Sequence, residues 1–171
     1  MTSVLFVCTA NICRSAYAEL VTAARADGHL EVASAGTHGW ADHPVDDEMA
    51  VQLIARGVDP SGFRSRPLTR ALVDEADVVL TAEAAHRTFV LQERPTALRR
   101  TFSLGQFASA LDEVPPGLAG PDLLAAVRRA RPTAGPGQDV LDPYRRGPEA
   151  ASRAAEHIDD LLREILPRLA G

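Results

Sequence analysis

Residues Ser3–Gly28 read SVLFVCTANICRSAYAELVTAARADG. The first part, Ser3 to Cys8, is a short β-branched and aromatic run of strand type, and Arg14 to Gly28 is helix type with a glycine stop. Between them lies CTANICRS, Cys8 to Ser15, a loop joining strand to helix. A strand that only has to be buried needs neither a cysteine at its end nor an arginine six positions later, so this join is where chemistry is expected.

Working outward, the same alternation continues. LEVASAG (Leu30 to Gly36) reads as a second strand, VDDEMAVQLIARG as a helix ended by Gly57, and ADVVLTA (Ala76 to Ala82) as a third strand. AEAAHRTFVLQER (Ala82 to Arg94) is helical in pattern, RRTFSL (Arg99 to Leu104) is a short strand, and Pro148 suits the first turn of a long closing helix to Leu169. Strands alternating with helices predict a parallel sheet covered on both faces, with a ligand at the carboxyl ends of the strands, where CTANICRS would lie. A single domain spanning 1–171 is expected, interrupted by a Pro/Gly-rich excursion at about 111–147 that holds one helix-like piece, DLLAAVRRAR.

Composition narrows the classes. The formal charge is -5, which argues against a nucleic-acid binder, since phosphate contacts demand a basic face. All 18 basic residues are arginine, a bias read as genomic composition. The chain has 2 cysteines, too few for a disulfide scaffold, and no apolar run long enough for a membrane span or leader, so a reducing cytoplasm is the expected location. One C-x4-C and scattered histidines lack the ligand spacing of a zinc site.

CTANICRS has the makings of an anion cradle. Loop N–H groups and the partial positive charge of the helix starting near Arg14 would hold a phosphate dianion, and the planar Arg14 fork would bind two of its oxygens. The same groups favour a Cys8 thiolate: an unperturbed thiol is only about 3% ionised at neutral pH, whereas such surroundings lower its pKa to between about 3.5 and 7.5. Attack by that sulfur on phosphorus would split one hard displacement into two. The departing oxygen then needs an acid, and Asp142 in VLDPYRRG, stiffened by Pro143, is the candidate.

Together, VCTANICRS, the DPY near the C-terminus and SAGTHGW (Ser34 to Trp40) resemble the low-molecular-weight protein tyrosine phosphatase family. The resemblance implies a flavodoxin-like three-layer α/β/α fold with a four-stranded parallel sheet, no metal and no organic cofactor. It implies a phosphotyrosine-bearing protein as substrate, inorganic phosphate as product, no nucleic-acid or membrane partner, and a bacterial monomer or weak dimer. It also implies roles: Cys8 as nucleophile, Arg14 as phosphate clamp and Asp142 as general acid and base. Thr9, Ala10, Asn11, Ile12, Cys13 and Ser15 complete the phosphate loop. Asn11 would hold its strained turn, Ser15 would donate to the sulfur, Ser34 would brace Asn11, and Trp40 and Tyr144 would wall the substrate ring. The chain departs from the family pattern at Ala10, Ala16, Phe63, Thr81-Ala82 and Arg145.

Other readings remain open. Cys13 is either a packing residue or a redox partner closing a reversible disulfide with Cys8. Arg145 and Arg146 read as a solvated face or as a selector of acidic substrates. An arsenate reductase of this fold would need either a further cysteine pair, absent here, or a one-cysteine relay through small external thiols. A protein-arginine phosphatase resembles members with threonine at the place of Ile12, and a non-catalytic phosphate-binding regulator would lack a reason to keep Cys8, Arg14 and Asp142 together.

Overall fold

The computed structural model describes residues 1–130, 132–135 and 137–171. Strands β1 (Thr2–Cys8), β2 (Leu30–Gly36), β3 (Val78–Thr81) and β4 (Thr101–Ser103) form a 4-stranded sheet in the order β2-β1-β3-β4. Every pairing is parallel. This is the flavodoxin-like three-layer α/β/α architecture, with β1 central and its carboxyl end at the place where the strand order reverses.

The period-two alternation of β1 divides the core. Val4, Phe6 and Cys8 point to the layer holding α1 (Arg14–Arg25), α2 (Asp47–Ala55), α5 (Leu104–Glu113), α6 (Gly120–Ala130) and α7 (Pro148–Ala170). Leu5 and Val7 point to the thinner layer, where Val73 of α3 (Arg70–Glu75), Val90 of α4 (Ala84–Glu93) and Ala97 of a 3-10 turn (Pro95–Arg100) meet them. Phe6 is fully buried and so removes its whole ring from water, an effect of roughly 1.5–3 kcal/mol. Among the described residues no helix is long and apolar enough to cross a membrane.

Two helices are missing from the reading of the sequence. α3 is only 6 residues, started by the Thr69 hydroxyl accepting from Leu72 N. α5 begins directly where β4 stops, under a capping box in which Ser103 and Gln106 satisfy each other's backbone N–H. The last strand starts at Thr101 rather than Arg99, because Pro95 opens a 3-10 turn that uses the two arginines.

Within 111–147, α6 covers most of the helix-like piece; Arg131, its expected last residue, and Pro136 lie outside the described residues. The Arg168 guanidinium of α7 ties the start of this region down by donating to the carbonyls of Leu111, Pro115 and Leu118.

Candidate active site

β1 carries Cys8 to the carboxyl edge of the sheet, between Gly36 of β2 and the end of β3. The chain then folds over itself through Asn11, whose φ of 60° is left-handed, a conformation asparagine tolerates better than most residues. The loop's carbonyls are taken from outside. Cys8 O accepts from Thr37 N at 2.9 Å, Thr9 O from His38 N at 2.9 Å, Ile12 O from Asp46 N at 2.9 Å and Cys13 O from Tyr17 N at 2.9 Å. With those oxygens already engaged, the loop N–H groups are available for an anion, as a nest at a helix N-terminus requires. Gly36 explains part of SAGTHGW: a Cβ there would lie 2.4 Å from Thr9 O, so only glycine lets β2 pass this close to the loop.

A chain of side-chain hydrogen bonds fixes the floor. Asn11 Nδ2 donates to Ser15 Oγ (2.9 Å) and to Ser34 Oγ (2.7 Å). Ser15 Oγ lies 2.9 Å from Cys8 Sγ and 3.5 Å from Ala35 O, so with Asn11 filling its acceptor side its own hydrogen has the sulfur as the nearer of two acceptors. Ser34 in turn donates to Glu19, whose carboxyl burial pushes above its usual range. Asn11 Oδ1 accepts from Arg66 N at 2.9 Å, and Arg66 Nε holds Ser34 O at 2.9 Å. Arg66 and Glu19, neither of them singled out from the sequence, complete this network. Glu19 carried a signal, one turn beyond Ser15 on the same helix face.

Arg14 is 2% exposed and anchored along one edge. Nη1 donates to the Glu83 carboxylate and, at 2.8 Å, to Val140 O. Nη2 sits 3.4 Å from Asp142 Oδ1, while buried Nε has no partner among the described residues. The edge formed by Nε and Nη2 is therefore the one available for an oxyanion. Glu83 and Val140 escape sequence reasoning because neither stands near Arg14 in the chain. Val140 is itself pinned by its N–H to Ala82 O (2.9 Å), and Asp139 Oδ1 accepts from Ala84 N (2.8 Å). These bonds bring the segment bearing Asp142 across the end of β3. The Asp142 side chain keeps 45% exposure and accepts from Tyr144 N at 3.3 Å.

Above the loop is a cavity of about 200 Å³. Cys8, Cys13 and Arg14 lie at its base, with Ile12, Trp40, Asp142 and Tyr144 around its sides. The Trp40 and Tyr144 rings meet edge to face at 6.1 Å, and the Arg145 guanidinium lies over the outer face of Tyr144 at 5.1 Å. Cys13 shares the cavity, but burial and then the nearby Asp46 carboxylate push its thiol up, so it stays protonated. Every residue expected at the site from the sequence lies in this cavity or in the hydrogen-bond network under it.

The chain is similar to known proteins. A family model described as "Low molecular weight phosphotyrosine protein phosphatase" matches residues 3–124. The chain is 36% identical over 105 residues to the Escherichia coli low molecular weight protein-tyrosine-phosphatase Etp, covering 61% of this chain and 70% of that protein. It is 30% identical over 167 residues to a protein-arginine-phosphatase of Geobacillus stearothermophilus, covering 98% and 93%. The structure of the arginine phosphatase YwlE from Geobacillus stearothermophilus superposes with a TM-score of 0.80 at 25% identity, over 99% of this chain and 93% of that one. A parallel sheet that ends in a C-x5-R-S loop, matched over this much of its length, makes the chain a member of the low molecular weight phosphotyrosine protein phosphatase family.

Proposed function

We propose that the protein hydrolyses phosphotyrosine on protein substrates, with Cys8 as nucleophile. The observation that carries this reading is the free Nε edge of buried Arg14, facing an amide-lined loop beside a sulfur that a serine hydroxyl contacts. In the first step the Cys8 sulfur attacks phosphorus, the bond from phosphorus to the tyrosyl oxygen breaks, and Asp142 delivers its proton to that oxygen. In the second, water attacks the phosphocysteine, Asp142 takes the water proton, and the phosphorus–sulfur bond breaks to release inorganic phosphate. Arg14 and the loop amides stabilise the charge on the equatorial oxygens in both steps. Ile12, Trp40 and Tyr144 supply apolar walls suited to a phenyl ring. Cys13, beside Cys8, is the group that would close a protecting disulfide after oxidation of Cys8 to a sulfenic acid, with loss of water.

The second reading is a protein-arginine phosphatase, favoured by similarity to the Geobacillus enzyme along 98% of the chain. Turnover of phosphotyrosine, phosphoarginine, phosphoserine and arsenate, with Cys8→Ser beside the wild type, separates the cases. Preferential turnover of phosphotyrosine by the wild type, lost in Cys8→Ser, is the expected result. Preference for phosphoarginine selects the second reading, and unchanged turnover in Cys8→Ser removes the cysteine mechanism.

A further inference from the structure

His86 stands in the first turn of α4 and is 6% exposed. Its Nε2 lies 2.8 Å from Thr9 Oγ1, while its Nδ1 is buried with no partner among the described residues. Among the described residues the hydrogen bond to Thr9 therefore accounts for all the polar contact of a buried ring, and Thr9 is the residue that follows Cys8 into the loop. Four charged groups surround the imidazole: Arg14 from α1, Glu83 just before α4, and Asp139 and Asp142 from the segment crossing β3. Burial, then Arg14, holds its pKa below the usual value of 6.5, so the ring is neutral near pH 7.

A neutral imidazole carries hydrogen on one nitrogen. A buried N–H with no acceptor is rarer than an acceptor with no donor, which assigns the hydrogen to Nε2. Nε2 then donates to Thr9 Oγ1, and the Thr9 hydroxyl keeps its own hydrogen for another acceptor. Thr9 is exposed and lines the cavity above Cys8. We propose that His86 is a positioning residue, fixing the Thr9 hydroxyl as an additional donor to the phosphoryl group bound in the cavity. The proposal rests on the phosphatase reading of the site but concerns anion binding, which is measurable apart from turnover.

The test is calorimetric titration of inorganic phosphate into the full-length protein and its variants, with aryl phosphate turnover recorded separately. Thr9→Val should weaken phosphate binding about tenfold, the loss expected for one hydrogen bond to a charged group, while Thr9→Ser stays within about threefold of wild type. His86→Phe should cost about the same tenfold, and the double variant Thr9→Val with His86→Phe should be no weaker than either alone. His86→Gln, whose amide can donate to the same hydroxyl, should recover most of the loss, a rescue that a purely space-filling role does not give. Phosphate binding by Thr9→Val equal to wild type overturns the proposal, as does an additive loss of about a hundredfold in the double variant. If His86→Phe does not fold, Thr9→Val against Thr9→Ser still decides, because Thr9 is on the surface: equal binding by the two overturns it. A wild type that binds phosphate yet turns over no aryl phosphate sinks the phosphatase reading and leaves this comparison intact.

Discussion

Asn11, in the network beneath the cavity, is wholly buried and committed through its side chain to Ser15, Ser34 and Arg66. Trp40, at the rim, is 44% exposed; its backbone bonds to Ala10 and Ser65, but its ring is held only by contacts with His43 and Tyr144 among the described residues. The base is over-determined, since several independent bonds hold each group, and that is what a strained left-handed turn needs in order to persist. The rim is held loosely. Chemistry is expected to depend steeply on the base, and choice of substrate more gently on the rim.

Substitutions can break that contrast, beginning with the largest effect. Cys8→Ser should lower kcat on an aryl phosphate by roughly a thousandfold or more, as removal of a nucleophile does elsewhere, while phosphate binding survives. A residual rate within tenfold of wild type would falsify the assignment. Asp142→Ala should slow phenyl phosphate by about 10²–10⁴-fold, and a substrate with an acidic leaving group much less, because only the poor leaving group needs the proton. Equal losses on both substrates would take Asp142 out of the acid role.

Asn11→Ala should cost roughly tenfold or more in kcat/KM, since it leaves buried partners unsatisfied at about 1–3 kcal/mol. Trp40→Ala, by contrast, should raise KM for aromatic phosphates only by about threefold to tenfold, with kcat nearly unchanged. If Trp40→Ala hurt kcat as much as Asn11→Ala, the distinction between base and rim would not stand.

The smallest effect concerns stability. Burial raises the Glu19 pKa above its usual 4.5, so folding favours the protonated carboxyl. The associated stability is fully present below pH 4.5 and is lost as pH rises through the higher value of the folded state. Glu19→Gln keeps an oxygen to accept from Ser34 and removes the ionisation. Its thermal midpoint should gain on the wild type as pH climbs from 4.5 toward neutrality, and parallel pH curves for the two proteins would remove the titration from Glu19.

Much of the site was legible because it is local. Eight consecutive residues, Cys8 to Ser15, contain the sulfur, the turn and the guanidinium, and a strand before them and a helix after them set their relative placement. Asp142 was legible only through the adjoining Pro143 and Tyr144. The short helices α3 and α5 were not, since α3 has too few residues to show a period and α5 follows β4 with no intervening loop. Glu83 and His86 looked like ordinary members of an alanine-rich helix start; nothing in AEAAHR distinguishes a surface turn from one packed behind a loop far earlier in the chain.

By itself, then, the sequence determined the strand–loop–helix unit, the parallel alternation and the identity of the reactive groups, because these depend on covalent spacing and on hydrophobic period. Tertiary structure alone decided what surrounds them. Glu83 and Val140 reach Arg14 from 69 and 126 residues away, and they do so only because β3 pairs beside β1 and the segment before α7 crosses its end. The physical reason is that orientation of a buried guanidinium is set by whichever acceptors the packed sheet brings to one of its edges. Those acceptors leave the other edge of Arg14 facing the cavity.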